Sequence, residues 1–226
     1  QTLQFLHKPP VDTNLTELIE GKHPAQQSLI KEELVAHMLC AGILKNELEG
    51  RIGPSMKDTS VHESQFLDSL PFDLTNAQNT VWKEIKHDLL ANLPMRRLLQ
   101  GDVGSGKTLV GALSALHAAS NNYQTALLCP TEILAEQHFT SFSDWFARLG
   151  VKVMLLTGST KTKEKKLIIE GLAEGKIDIL IGTHAIFQAG IEFNNLGLTV
   201  IDEQHRFGVH QRFSMLEKGG KTNQSP

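Results

Sequence analysis

Gly101-Asp102-Val103-Gly104-Ser105-Gly106-Lys107-Thr108 fills every position of the pattern G-x-x-x-x-G-K-[ST]. A loop of this kind works through its backbone. Its glycines leave N–H groups free to surround phosphate oxygens, and the first turn of the next helix adds partial positive charge. Lys107 is placed to reach the β- and γ-phosphates, and the Thr108 hydroxyl to help hold Mg²⁺. The flanks suit the motif. Arg97-Leu98-Leu99-Gln100 reads as a short strand, and Leu109 to Ala119 reads as a helix. The residues Gly101, Asp102, Val103, Gly104, Ser105, Gly106, Lys107 and Thr108 are therefore expected to bind the phosphates of a nucleotide with Mg.

Outward from the loop, strands and helices alternate. Strand-like runs are 97–100, Thr125–Cys129, Val151–Leu156, Ile177–Ile181 and Leu198–Ile201, and helical runs are 76–92, 108–120, 132–148 and 161–173. Continuous apolar strands with helices between them predict an α/β fold, a parallel sheet covered on both faces. Such a sheet binds its ligand at the carboxyl ends of the strands, where Gly101 and Asp202 fall. One of those strands, Leu198-Thr199-Val200-Ile201, ends in Asp202-Glu203. An acid pair after a strand is usually a solvated turn, but a phosphate loop upstream changes its meaning. Asp202 is expected to hold Mg²⁺ through water, and Glu203 to orient and deprotonate an attacking water. Gln204 and His205 complete a four-residue box.

Other segments allow a plain and a sharper reading. Thr75-Asn76-Ala77-Gln78 is a capping box, with Thr75 as N-cap and Gln78 reaching back. Gln78 also offers a donor and an acceptor to an adenine edge, and a cap would hold it rigid for that task. Phe72 is read first as core, with stacking on the base as the alternative. Pro130 to His138 and Gly182-Thr183-His184-Ala185 each follow a strand, where a helix start can meet a nucleic-acid backbone. Lys161, Lys163, Lys165 and Lys166 read as a solvated helix face.

The bulk numbers exclude several classes. A formal net charge of −3, from 22 basic and 25 acidic residues, is not that of a protein that coats nucleic acid. Any such contact must be local. Cys40 and Cys129 fit no metal or disulfide spacing, which points to a reducing cytosol. No apolar run is long enough for a membrane span, so no membrane partner is expected. Residues 1–70 differ in character. His7-Lys8-Pro9-Pro10 reads as extended, Pro24 to Leu48 as a long helix, Arg51 to Ser60 as a mobile connector, and Glu63 to Ser69 as a short helix. The chain lacks an initiator Met and reads as a piece of a longer protein.

Leu74-Thr75-Asn76-Ala77-Gln78, Gly101 to Thr108, Pro130 to His138, Gly182 to Gln188 and Asp202 to Val209 together resemble superfamily 2 helicases, and among these the RecG family. The resemblance is specific over about residues 71 to 215 and weaker before them. It implies a RecA-like first motor lobe over 71–226, incomplete at its C-terminus, and a helical linker over 1–70 between a wedge domain and the motor. It implies an ATP-dependent DNA helicase or translocase, monomeric, in the bacterial cytoplasm and associated with the nucleoid. Its partners would be branched or forked DNA, met at stalled forks and Holliday junctions, together with a second motor lobe and a wedge domain of the same protein. It assigns DNA contacts to Thr131, Glu132, Gly158, Thr183 and His184, and coupling to Gln204 and His205. The translocase module of transcription-repair coupling factor shares the Arg206-Phe207-Gly208-Val209 neighbourhood and stays as an alternative, as does a nucleotide-binding module without catalysis. In the resembled family a further strand separates the phosphate-loop strand from the one ending at Asp202, so this chain is expected to have a gap in its sheet there.

Overall fold

Short apolar runs rich in Leu and Ile satisfy their backbone groups only by pairing with one another. Four of them do so: Gln124–Leu128 (β1), Val153–Leu156 (β2), Ile179–Gly182 (β3) and Leu196–Ile201 (β4) form a parallel sheet in the order β2-β3-β1-β4. β1 pairs on both sides, Thr125 to Leu128 matching Ile179 to Gly182 in β3 and Leu198 to Ile201 in β4. The two-residue period then sorts side chains by face. Leu127, Ile179, Ile181 and Leu198 join one buried cluster, and Ala126, Leu128, Leu180 and Leu196 join another.

The computed structural model describes residues 2–10, 13, 15–49, 53–91, 93–187 and 190–206. Readings made on Gln188, Phe207, Gly208 and Val209 lie outside these residues, as does the side chain of His205. The helices are Thr2–His7 (α1), Leu15–Ile19 (α2), Pro24–Glu49 (α3), Ser60–Ser69 (α4), Asn76–Leu90 (α5), Lys107–Ser120 (α6), Glu132–Phe146 (α7) and Thr162–Ala173 (α8). Helices α6 and α7 lie against the first sheet face and α8 against the second, so both faces are covered as the continuous apolar strands required. Among the described residues no helix is long and apolar enough to cross a membrane.

Three expectations change. Arg97–Gln100 joins no ladder among the described residues. A strand needs a partner for its N–H and C=O groups, and the far side of β4, where the gap was expected, carries no described strand. Leu98 is 63% exposed, and Arg97 is held instead by Glu84 at 2.5 Å and Asp88 at 2.8 Å. The second change is at the other end of the chain, where His7 closes α1 instead of extending from it.

The third change concerns the boundary near residue 70. The chain divides into Gln1–Gly50 and Arg51–Pro226. Within the first unit α1 packs on α3, and Phe5 stacks on His23 with ring centroids 4.8 Å apart. The stretch 53–60, expected to be mobile, is tied down within the second unit. Met56 is buried, the backbone of Lys57 exchanges two hydrogen bonds with the Asn121 side chain (2.7 and 3.1 Å), and the Thr59 hydroxyl meets His117 Nδ1 at 2.9 Å. Helix α4 follows it inward. Phe66 is fully buried against Phe146 and Trp145. Glu63 accepts from Trp82 Nε1 at 2.6 Å and from Lys86 at 2.8 Å. Burial disfavours the Lys86 ammonium, but its bonds to Asp58 and Glu63 outweigh that and hold its pKa above the ordinary value.

If residues 53–70 are structural parts of the second unit, emptying the Phe66 site must unfold that unit more easily. Phe66→Ala is expected to cost about 3–5 kcal/mol. Urea denaturation followed by Trp82 and Trp145 fluorescence measures it, and a loss under about 1 kcal/mol would contradict the packing.

Candidate functional site

The phosphate loop leads directly into α6. Gly106 is the N-cap residue and takes φ 79°, and Gly104 takes φ 83°. Both are left-handed values that glycine adopts without cost. The turn is closed by Ser105 N–H donating to the Asp102 carbonyl at 3.2 Å. Lys107 Nζ bends back and donates to the carbonyls of Gly101 (2.6 Å) and Asp102 (2.9 Å). The ammonium therefore sits inside the loop's curve, at the place where charge is needed if phosphates enter. Residues Gly101 to Ser105 are exposed, and the helix behind them is buried from Leu109 to Ala118 apart from Gly111.

Helix α5 meets the loop from one side. The capping box forms in full: Thr75 Oγ1 accepts from Gln78 N (3.3 Å), and Gln78 Oε1 accepts from Thr75 N (2.9 Å). The same carboxamide has a second partner, which the sequence did not announce. Gln78 Nε2 donates to the Ser105 carbonyl at 2.9 Å, so the cap is fastened to the phosphate loop. A Cβ on Gly106 would lie 2.2 Å from that Nε2, which makes the glycine a steric requirement as well as a conformational one. One hydrogen of Nε2 and one lone pair of Oε1 remain for a further ligand. The default reading of Phe72 as core does not hold. It is 52% exposed and, with Leu67, Asp73, Leu74 and Asn79, lines a shallow cavity of about 250 Å³ beside the cap.

The acids stand at the end of β4. Asp202 N–H donates to the Leu128 carbonyl (2.9 Å), which continues the ladder one step past the strand. Glu203 then turns with φ 49°, a left-handed value uncommon for a residue with a Cβ. Asp202 Oδ1 accepts from Glu203 N at 3.0 Å, and Asp202 Oδ2 lies 2.8 Å from His138 Nε2. The hydrogen bond from His138 is the main cause holding the Asp202 carboxyl below its ordinary pKa; burial opposes it, and Lys107 adds attraction. Gln204 and His205 follow in a short 3-10 turn, Gln204–Arg206. Burial, with the Asp202 charge beside it, pushes the thiol of Cys129 up to about 12, so this cysteine is inert packing.

The residues assigned to DNA gather at the same end of the sheet. Thr131 caps α7 by accepting from Leu134 N (3.3 Å), and Glu132 binds the 158–160 turn through Ser159 N (3.2 Å) and Ser159 Oγ (2.8 Å). The Ser159 hydroxyl bond, more than the exposure-limited burial opposing it, keeps the Glu132 carboxyl below its usual range. Thr131, Gly158 and His184 are exposed. Thr183 is not: it is 2% exposed, and its N–H is committed to the Leu156 carbonyl at 3.3 Å. Of the pair Thr183-His184, only His184 faces solvent.

The donor set fits a nucleotide with a divalent cation: backbone N–H groups at a helix start, one ammonium, one hydroxyl at Thr108 and one oriented carboxylate at Asp202. Sequence reasoning passed over His138. A signal was present, because His138 falls on the helical stripe shared with the buried Ala135 and Phe142.

The model of the family "DEAD/DEAH box helicase" matches residues 75–224. The ATP-dependent DNA helicase RecG of Haemophilus influenzae is 47% identical over all 226 residues of this chain, which cover 33% of that protein. RecG of Escherichia coli K12 is 47% identical over 219 residues, 97% of this chain and 32% of the relative. The chain thus spans about a third of the length of these curated relatives. A structure of RecG bound to a three-way DNA junction superposes with TM-score 0.74 at 44% identity, covering 81% of this chain and 25% of that one. The UvsW helicase from bacteriophage T4, TM-score 0.54 at 16% identity and covering 75% of this chain and 60% of that one, shares the fold.

A carboxyl whose pKa is lowered on folding contributes stability above its unfolded value, about 3.9, and loses it as pH falls through the folded value. Asp202 is lowered, so its contribution is full at neutral pH. The stability difference between wild type and Asp202→Asn should shrink as pH falls below about pH 5 and the carboxylate takes up its proton. Urea melts from about pH 5 downward check this, and a difference that does not shrink there would contradict it.

Proposed function

The chain belongs to the DEAD/DEAH box helicase family, and we propose that it forms the ATP-binding first lobe of a DNA helicase or translocase acting on branched DNA. The observation that carries this is the phosphate loop Gly101–Thr108 opening α6, in a chain 47% identical to RecG over all 226 of its own residues. The relative solved on a three-way DNA junction supports branched DNA as the partner, and stalled forks and Holliday junctions are the forms proposed for it. The second motor lobe and the wedge domain are proposed for the remaining length of the full protein, which would work as a bacterial cytoplasmic monomer.

Each residue then has a task. Backbone N–H groups from Gly104 to Thr108 cradle the phosphates, and Lys107 exchanges the carbonyls of Gly101 and Asp102 for the β- and γ-phosphates. Mg²⁺, when bound with the nucleotide, neutralises charge developing on the phosphate oxygens. Thr108 and Asp202 would hold it. Glu203 orients the attacking water and takes its proton. Phe72 lines the cavity beside the cap that Gln78 helps form, and there an adenine would gain a stacked face from Phe72 and a hydrogen-bonded edge from Gln78. Thr131, Glu132, Gly158 and His184 meet the DNA backbone, Thr183 holding their turn from beneath. Gln204 and His205 pass the state of the acid pair to the second lobe.

The decisive experiment separates binding from chemistry in the full-length protein. Lys107→Ala should remove both ATP affinity and DNA-stimulated phosphate release. Glu203→Gln keeps shape, so affinity should persist while turnover falls about 10²–10⁴-fold. Equal loss of affinity and rate in Glu203→Gln would make it structural, and undiminished turnover in Lys107→Ala would remove the phosphate-loop reading.

Gln78→Ala should lower the preference for ATP over GTP and, through the lost cap, cost about 0.5–2 kcal/mol of stability. A nucleotide competition assay beside a thermal melt measures both. Unchanged preference with reduced stability would confine Gln78 to its cap and its bond to the loop.

A further inference from the structure

We propose that His138 is a positioning residue for the metal-side carboxylate: it fixes the orientation of Asp202, so that the carboxylate stays in place for Mg²⁺. This rests on the nucleotide-binding reading above. His138 lies about two turns into α7, and its Nε2 is 2.8 Å from Asp202 Oδ2. An ionised carboxylate only accepts, so the proton of this bond is on Nε2. The ring is itself held. It stands edge-on to the fully buried Phe142, with centroids 6.4 Å apart and planes at 80°. The His138 side chain is 14% exposed against 32% for Asp202, so the donor is the better anchored of the two.

Asp202 needs such an anchor. It follows the last residue of β4, and the chain turns at Glu203 with φ 49°. Its two oxygens each have one fixed donor, Glu203 N on Oδ1 and His138 Nε2 on Oδ2. A carboxylate has about four acceptor sites, so one on each oxygen remains for the ion or its waters. A carboxylate without the second donor would be held at Oδ1 alone, free to turn its open lone pairs away from the ion. Outer-shell partners of this kind orient a ligand before the metal arrives.

The test titrates Mg²⁺ against a fluorescent ATP analogue bound to the full-length protein. His138→Ala is expected to raise the Mg²⁺ concentration for half-maximal binding about tenfold, while affinity for the analogue in EDTA stays unchanged. His138→Gln, whose amide can donate to the same carboxylate, should restore most of it. His138→Phe keeps the packing on Phe142 without a donor and should behave like His138→Ala. A wild-type Mg²⁺ midpoint in a folded His138→Ala or His138→Phe overturns the proposal and leaves the nucleotide reading standing. Unfolding of both variants would assign His138 to the core and overturn it too. Absence of any Mg²⁺-dependent binding in the wild type would sink both readings together.

Discussion

Helix α6 has its first turn in the site and almost everything behind that turn out of solvent. Lys107 and Thr108 open it, and from Leu109 to Ala118 only Gly111 escapes burial. A helix buried on so many sides must be surrounded, and much of the fold reads as that surrounding. β1 and β4 lie on one side, α5 and α4 on others, and the stretch around Met56 to Thr59 closes the end at His117 and Asn121. Burial lowers the pKa of His117, with Lys86 nearby reinforcing the effect, so the ring packs neutral against Trp82. The result is a phosphate loop on a rigid mount. Its own residues from Gly101 to Ser105 are exposed to an incoming ligand, while its base cannot move without disturbing the core.

The site is also cross-braced. Gln78 fastens the start of α5 to Ser105 in the loop, His138 in α7 reaches Asp202 beyond β4, and Glu132 at the start of α7 holds the turn after β2. Each is a side chain from one element gripping the end of another. Strand ends alone would leave these loops free, because a ladder fixes the backbone only as far as its last pair. The braces convert a set of strand ends into one surface.

What could be read from the sequence follows from where the information lies. The phosphate loop was legible because its mechanism is in the backbone and demands glycine at set positions. The acid pair was legible because a continuous apolar strand led into it. Leu98-Leu99 misled for the same reason, since an apolar run is only half of a strand and the partner is not written beside it. Phe66 was missed because one aromatic residue in a polar helix carries no period, and only its seat against Phe146 reveals its role. The bonds from Thr59 to His117, Gln78 to Ser105 and His138 to Asp202 join residues far apart in the chain, so no local pattern specifies them.

The strand order has a consequence for how the chain is made. β1 is the sheet's central strand, buried along its whole length, yet both its neighbours are later in the chain. β3 begins at Ile179 and β4 at Leu196. At about 5–20 residues per second, β4 emerges from the ribosome roughly 3–14 s after β1. Until β3 and then β4 arrive, first both edges of Gln124–Leu128 and then one of them lack their partners. The newborn chain therefore passes through a stage in which its central strand is open to any other strand nearby.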